Sequence, residues 1–244
     1  MKGGRLIYEY PFTIPSPTVT VIQRETDAMT IVSAKYNIQV PESDLLSYIF
    51  DAPFGDGQGA WPSTEPLLHS TEETEPCYTI DEIKNIVTHL GCGLHHLGAH
   101  GSRVLLYGEA NIHFPLALLG VMAGGAACAV LPPSSVHHVT FYLRLMNAAF
   151  ILCGPNDVLG VIEAAGEVGI PHDHIFVVDE HESVHDTSFK HDQIRHWGWL
   201  LNVPGGNEYA WPQLGKKESK ETEALMLCTS GYVQCWSTSL AMAI

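Results

Sequence analysis

The sequence predicts an α/β fold, built on a mostly parallel sheet with helices on both faces. Three observations carry this prediction. Runs of four or five apolar residues recur through the middle of the chain, segments with helical spacing of apolar residues separate them, and capping residues or prolines mark the junctions. Strands that are apolar at every position are typical of a sheet covered on both faces, and strand–helix alternation favours parallel pairing.

The first regular element that the sequence predicts is a helix after Tyr78. Thr79 and Glu82 form a capping-box pattern, in which the threonine hydroxyl accepts from the Glu82 amide and the glutamate reaches back. Gly98 is the residue at which this helix is expected to stop, since glycine favours the left-handed turn there. The apolar residues of one helical face lie between them: Ile83, Ile86, Val87, Leu90, Leu94 and Leu97.

Strands and helices then alternate along the chain. The predicted strands are 103–107, 128–131, 150–153, 175–178 and 224–228. Three helices are predicted between them, capped in turn by Asn111, by Ser134 or Ser135, and by Asn156 or Asp157. The polar, histidine-rich segment 180–222 is predicted to be a loop.

The N-terminal part of the chain predicts little regular structure. Residues 1–52 form an irregular extension, in which prolines interrupt short β-branched runs, and residues 53–76 are predicted to be a loop. The Gly55-x-Gly57-x-Gly59 run in that loop has neither the preceding strand nor the following helix that a nucleotide-binding turn requires, so we predict a surface loop. The predicted domain is 77–231, and 232–244 is a tail.

Composition and charge exclude several classes of protein. The chain has 12 Lys and Arg against 27 Asp and Glu, and a net charge of −15, which disfavours binding to nucleic acid or to an anionic membrane. The longest apolar stretch, 114–133, is broken by glycine and proline, so it predicts helix, turn and strand and not a transmembrane span. The cysteines form no C-x-x-C pair, and no signal-peptide core is present. These features favour an intracellular, cytoplasmic location.

Histidine is abundant, with 14 residues, six of them between 172 and 196 beside several aspartates. Imidazole and carboxylate groups could bind zinc or nickel. No H-E-x-x-H pattern is present, however, so we predict a solvated polar stretch and no metal site. The neighbouring pairs 95–96 and 137–138 lie on predicted helices, where adjacent side chains diverge by about 100° and cannot chelate together. Those pairs are expected at the surface or at the edge of the core.

The exit of the last predicted strand is the feature most informative about chemistry. Strand 224–228 runs directly into Thr229, Ser230 and Gly231. Hydroxyls and exposed amides at the carboxyl end of a parallel strand can contact phosphate oxygens, and glycine lets the backbone approach them closely. Ligands of open α/β sheets bind at such strand ends. Taken alone, these three residues also fit an ordinary turn.

Four segments, in order along the chain, carry a resemblance to a known family. Residues 44–50 (D-L-L-S-Y-I-F) resemble its entry segment, and 78–82 (Y-T-I-D-E) its Y-T-x-x-E helix start. Residues 111–133 are similar to its N-x-x-x-F-x-x-A-x-L-G-x-x-x-A-G stretch, and 225–231 match the opening of the phosphate loop T-S-G-T-T-G-x-P-K-G. The family is that of the adenylate-forming acyl-CoA synthetases, most closely the 4-coumarate–CoA ligase group, and the resemblance covers its N-terminal part.

The resemblance implies an AMP-forming acid–thiol ligase. In this family ATP and a carboxylic acid form an acyl-adenylate and pyrophosphate, and the thiol of coenzyme A then displaces AMP. The implied cofactors are ATP, Mg²⁺ and coenzyme A, and Thr229, Ser230 and Gly231 would contact the ATP phosphates. The acid substrate is not predicted, since the residues lining the family's acyl pocket lie outside the matching segments. A peroxisomal location is open for full-length relatives.

After Gly231 the sequence departs from the family pattern. Where the family has T-T-G-x-P-K-G, the chain reads Tyr232-Val-Gln-Cys-Trp236, so the lysine of the loop is missing. We expect an incomplete piece, truncated inside the phosphate loop, that holds no catalytic residue and does not catalyse ligation, and whether it binds ATP, Mg²⁺ or coenzyme A by itself stays open. The alternative is a non-catalytic interaction module, whose apolar surface, exposed by truncation, contacts other copies, chaperones or partners.

Overall fold

The computed structural model describes residues 44–51, 64–70, 77–179, 190–191, 194–228 and 238–241. The strands are β1 (Pro66–His69), β2 (Cys77–Thr79), β3 (Arg103–Tyr107), β4 (Ala127–Leu131), β5 (Phe150–Cys153), β6 (Ile175–Val177), β7 (Lys190–His191), β8 (Ile194–His196), β9 (Leu225–Cys228) and β10 (Thr238–Ala241). The helices are α1 (Leu45–Phe50), α2 (Ile80–His96), α3 (His113–Ala123), α4 (Val136–Met146), α5 (Val158–Val168), α6 (Gly198–Leu201) and α7 (Lys216–Glu221).

One mostly parallel sheet organises the described residues. Its strand order is β10-β9-β4-β3-β5-β6-β8-β7, and β1 and β2 form a separate antiparallel pair. The six strands from β9 to β8 pair in parallel, whereas β10 and β7 join the two edges antiparallel. The predicted α/β fold class is therefore confirmed, and every strand that the sequence predicted takes part in this sheet.

Helices cover both faces of the sheet, because successive side chains of each strand point in opposite directions. Val104 and Leu106 of β3 pack in one buried cluster with residues of α2 and α3. Leu105 and Tyr107 of the same strand pack in a second cluster with residues of α4 and α5. This arrangement explains why the strands are apolar at nearly every position.

Helix α2 begins and ends where its sequence signals predict. The Glu82 amide donates to Thr79 Oγ1 at 3.3 Å, and the Thr79 amide donates to Glu82 Oε2 at 2.8 Å. The Thr79 hydroxyl also donates to Glu82 Oε2, and the two bonds from the Thr79 amide and hydroxyl hold the pKa of Glu82 below its ordinary value. At the other end Gly98 has φ of 79°, and the Ala99 amide donates to the Leu94 carbonyl, which is the Schellman arrangement.

The other predicted caps have different outcomes. The Asn111 carboxamide accepts from the amides of His113 and Phe114 at 3.0 and 3.1 Å, so its predicted capping role at α3 is confirmed. Ser135 caps α4, since its Oγ accepts from the His138 amide. The cap predicted for α5 is confirmed in position only: Asp157 is the N-cap residue, but its side chain makes no capping bond, and a 3₁₀ turn at Pro155–Asp157 leads directly into the helix.

Two predicted loops contain regular structure. Within 180–222 the chain forms β8, α6 and α7, because β8 hydrogen-bonds to β6 and the segment after it packs into the core beside α2. Trp197, Leu200 and Leu201 supply that packing. Within 53–76 the chain forms β1, which pairs with β2. Residues 1–43, the glycine run at 55–59 and most of the tail lie outside the described residues.

An ion pair joins the start of β9 to β3, two strands away in the sheet. Arg103 Nε donates to Glu223 Oε2 at 2.9 Å, and Nη2 donates to Oε1 at 3.1 Å. Arg103 Nη1 also donates to the Met146 carbonyl at 3.0 Å. Because two parallel bonds fix the geometry, such a fork is stronger than a single exposed contact.

We expect Glu223→Gln to lower the free energy of unfolding by about 1–2 kcal/mol, since a half-buried guanidinium loses its charged partner. Asp51→Asn is the matched control, because it removes the exposed pair between Asp51 and Lys84. Its expected cost is below about 1 kcal/mol. Urea unfolding at neutral pH measures both. Equal losses in the two variants would show that the Arg103 fork contributes no more than an ordinary surface pair.

Candidate active site

The carboxyl ends of the parallel strands meet at one edge of the sheet, where ligands of open α/β sheets bind. We call this the carboxyl edge, and the segments that follow β3, β4, β5 and β6 form it: 108–112, 132–135, 154–157 and 178–179. Strand β9 points to the same edge, because Leu225 pairs with Cys128 and Leu227 with Val130 in parallel register. Cys228 therefore ends β9 beside the end of β4.

A tyrosine on β3 fixes the loop after β4. The Tyr107 hydroxyl donates to the Ser134 carbonyl at 2.8 Å and accepts from the Ser134 amide at 2.9 Å. Burial raises the pKa of Tyr107, so the phenol stays protonated and can keep both bonds. Ser134 Oγ lies 2.9 Å from His138 Nδ1. The loop thus holds one hydroxyl group at the carboxyl edge, within hydrogen-bonding distance of an exposed imidazole.

A close approach of two loops shapes the middle of this edge. Gly108 has φ of 137°, and a Cβ placed there would lie 3.1 Å from the Gly154 amide nitrogen and 3.2 Å from Asp157 Oδ2. A side chain is therefore excluded both by the backbone conformation and by the neighbouring loop. Burial, and then the charge of Glu109, raise the pKa of Asp157.

A buried polar cluster lies beneath the start of α3. His113 Nε2 lies 2.9 Å from the Tyr78 hydroxyl, and the His113 ring packs edge-on against Trp197 at 5.3 Å between centroids. His113 is fully buried, and its Nδ1 has no hydrogen-bond partner. Burial lowers the pKa of His113 to about 4, against the opposing effect of the Asp179 charge and with a smaller lowering effect of His196. The imidazole is therefore neutral at physiological pH.

The carboxyl edge carries negative charge and no positive side chain within its four segments. Glu109, Asp157 and Asp179 lie on it, and the segments contain neither lysine nor arginine. Among the residues that the structure describes, no group of three or more His, Cys, Asp or Glu side chains could hold a metal ion. By themselves, these four segments offer hydroxyl and amide donors to an anion but no lysine or arginine.

The predicted phosphate-contacting residues Thr229, Ser230 and Gly231 lie outside the described residues. The structure brings Gly108, Ser134 and Asp157 to the carboxyl edge, at which β9 ends with Cys228, the residue before Thr229. Sequence reasoning missed Gly108 and considered Ser134 and Asp157 only as helix caps. Their position in the sequence could have identified them, because each lies shortly after a predicted apolar strand.

The histidine-rich stretch is only partly solvated, which corrects its prediction. His174 stacks on Phe150 at 4.1 Å and its Nδ1 lies 3.0 Å from the Ala149 carbonyl. His196 is buried, because it lies on β8 inside the sheet. His172 is exposed, as predicted. The histidine pairs at 95–96 and 137–138 are exposed too, which confirms their expected surface position.

In sequence the chain is similar to fungal acyl-CoA ligases. It is 28% identical over 200 residues to a phenylacetyl-CoA ligase of Aspergillus niger, a match that covers 80% of this chain and 34% of the relative. It is also 28% identical over 200 residues to an acyl-CoA ligase of Aspergillus niger, a match that covers 80% of this chain and 35% of the relative. The chain thus spans about one third of the length of the curated relatives it matches. No family model matches it.

Solved structures share the fold at lower identity. A red-emitting luciferase from Phrixothrix hirtus superposes with a TM-score of 0.55 at 13% identity, covering 67% of this chain and 38% of the other. An anthranilate CoA ligase in complex with anthranoyl-AMP superposes with a TM-score of 0.55 at 13% identity, with 70% and 30% covered. A benzoate CoA ligase from Burkholderia xenovorans superposes with a TM-score of 0.51 at 16% identity, covering 68% of this chain and 30% of the other.

These comparisons confirm the resemblance and the fold that it implied. The chain is similar in sequence to acyl-CoA ligases, and its sheet and helices form part of the acyl-CoA synthetase fold. Within the described ranges, no helix combines the length and apolar character needed to cross a bilayer.

Proposed function

We propose that this chain is part of an AMP-forming acyl-CoA ligase, and that the 244-residue polypeptide does not catalyse ligation by itself. The activity of the family is the conversion of ATP and a carboxylic acid to an acyl-adenylate, followed by transfer of the acyl group to coenzyme A. The observation that carries the first half of the proposal is the ordered match to acyl-CoA ligases over 80% of the chain.

The negative charge of the carboxyl edge supports the second part of the proposal, that the chain does not catalyse ligation by itself. A triphosphate with several negative charges would face Glu109, Asp157 and Asp179 there, while the four described segments supply no lysine or arginine. Charge developing during adenylate formation needs positive groups or Mg²⁺ aimed at the phosphates. The hydroxyl of Ser134 could donate to a phosphate oxygen, but the four segments supply no lysine or arginine that would bind a nucleotide tightly.

Thr229, Ser230 and Gly231 extend this edge in the proposal, because they follow Cys228 directly. Their hydroxyls and amides would contact the ATP phosphates, and Mg²⁺ and coenzyme A would be needed by the complete enzyme.

A reducing, cytoplasmic location is supported by free cysteines. Cys128 and Cys153 are buried thiols, and burial raises the pKa of each to about 12.

Nucleotide titration followed by amide NMR tests the proposal. We expect MgATP to bind with a dissociation constant on the order of 1 mM or weaker, because an uncompensated anion site contributes little affinity. The shifted amides should include Gly108, Ser134 and Gly154 and leave the opposite edge of the sheet unchanged. Shifts spread over the surface, or none at all, would contradict a nucleotide edge. Micromolar binding would contradict the proposed lack of countercharge.

The alternative is a non-catalytic interaction module. Phe141 and Leu145 favour it, since they lie four residues apart on α4 and are 39% and 43% exposed. In that case the chain would associate through α4, and Leu145→Lys would convert the associated species to a monomer in size-exclusion chromatography. A monomer in both the unchanged chain and the variant would contradict this alternative.

A further inference from the structure

A cavity of about 210 Å³ opens at the opposite edge of the sheet, where the parallel strands begin. Asp44, His100 and Glu223 are among its polar lining groups. Its apolar walls come from α1, α3 and the chain around α7: Leu45, Leu46, Met122, Ala126, Pro212 and Leu214. An apolar protein cavity of about 150 Å³ holds benzene, so this one has room for a phenyl ring and a short chain.

Asp44 places a carboxylate in this largely apolar cavity. It is only 8% exposed, and its Oδ1 accepts a hydrogen bond from the Ser47 amide at 2.9 Å. A carboxylate has two oxygens and accepts more than one hydrogen bond. Burying it without a positive partner is costly. Among the described residues that line the cavity there is neither lysine nor arginine, and the imidazole of His100 is their one basic group.

The nearest arginine is already engaged. Arg103 lines the neighbouring cavity of about 580 Å³, which shares Glu223 and Thr222 with the first. Its donors bond to both oxygens of Glu223 and to the Met146 carbonyl. A carboxylate or phosphate ligand would therefore meet two carboxylates and no available guanidinium. The two carboxylates of the described lining disfavour an anionic ligand and favour a cation.

We propose that this cavity binds a small amphiphilic amine, whose ammonium group contacts Asp44 while its aryl or short alkyl group packs against Leu46 and Met122. The ammonium adds a positive charge beside the Asp44 carboxylate, and the apolar part displaces water from the walls. The inference is independent of the proposed nucleotide edge, since the cavity lies where the strands begin and the nucleotide edge where they end.

Calorimetric titration of the 244-residue chain with three phenyl compounds of matched size tests this. The probes are 2-phenylethylamine, neutral 2-phenylethanol and anionic phenylacetate. We expect the amine to bind about tenfold or more tightly than the alcohol, and phenylacetate to bind most weakly at this site. Methyl NMR shifts of Leu46 and Met122 report whether a probe occupies the cavity and separate it from any binding of phenylacetate elsewhere.

Asp44→Asn is the decisive variant, because asparagine caps a helix as well as aspartate does but carries no charge. It should reduce amine affinity to that of the alcohol. Ala224→Leu, which fills the cavity, should abolish the shifts from both, and thermal unfolding checks that each variant is folded. Phenylacetate shifting Leu46 and Met122 as strongly as the amine, or no methyl shift with millimolar amine, overturns the proposal. If a variant does not fold, the three probes on the unchanged chain still decide it.

Discussion

Replacing Gly93 with alanine is expected to lower the free energy of unfolding by about 2–3 kcal/mol, near the upper end of the cost of overpacking a core. Gly93 lies on the face of α2 that contacts α6. A Cβ added there would lie 2.3 Å from the Leu200 carbonyl oxygen and 2.8 Å from its carbonyl carbon. Because these neighbours are backbone atoms, α6 must move away from α2 to make room.

Gly166→Ala is the matched control for this substitution. Gly166 is also helical, on α5, and nothing lies within 4 Å of a Cβ built on it. Alanine should therefore stabilise the chain by about 0.5–1 kcal/mol through helix propensity alone. Urea unfolding of the two variants gives the comparison. Similar changes in both, in either direction, would contradict the tight contact between α2 and α6.

The second large effect is a loss of stability in acid through His113. Its pKa in the folded chain is about 4, against 6.5 for an unperturbed histidine, so the unfolded state takes up the proton first. Stability is therefore fully present above pH 6.5 and falls as the pH drops from there towards 4. The expected contribution of this one group is about 3 kcal/mol. Tyr78, Asp179 and His196 are the titratable groups that face it.

A double variant isolates this contribution. His113→Phe combined with Tyr78→Phe removes the titrating ring and leaves no phenol without its partner. Between pH 6.5 and 4.5 the unchanged chain should lose clearly more stability than the double variant, measured by urea unfolding. His172→Gln, at an exposed position, should behave like the unchanged chain. Parallel curves for the chain and the double variant would show that His113 is not the acid-sensitive group.

Local signals were sufficient to predict the centre of the fold. Strand bounds at β3 and β5 match the prediction, because each short apolar run ends at a glycine there. The capping box of α2 and its stop at Gly98 depend on neighbours three to five residues away. In such segments the local preference and the packed core agree.

The segment 180–222 could not be predicted in the same way. Helix α6 has only four residues, and no periodicity is visible over that length. It forms because Trp197 and Leu200 are buried and Gly93, far away in sequence, leaves space for its backbone. Strand β8 has three residues and is held by pairing with β6. Both elements depend on contacts between distant parts of the chain.

The candidate site, too, could be predicted only where it depends on local sequence. A strand leading to Thr229 was predicted from sequence, and β9 confirms the strand, while the three residues themselves remain a prediction. The approach of Gly108 to Gly154 joins the loops after β3 and β5, and the bond from Tyr107 to Ser134 joins the end of β3 to the loop after β4. Only the strand order of the sheet makes those loops neighbours, and a single sequence does not carry that order.

ATP–pyrophosphate exchange by the purified 244-residue chain, with Mg²⁺ and a panel of aromatic and fatty acids, tests the central proposal most directly. We expect no exchange above the blank with any acid, because the described carboxyl edge lacks the positive groups that adenylate formation requires. Exchange above the blank that is lost on replacing Thr229 and Ser230 with alanine would show that this chain is itself a working ligase.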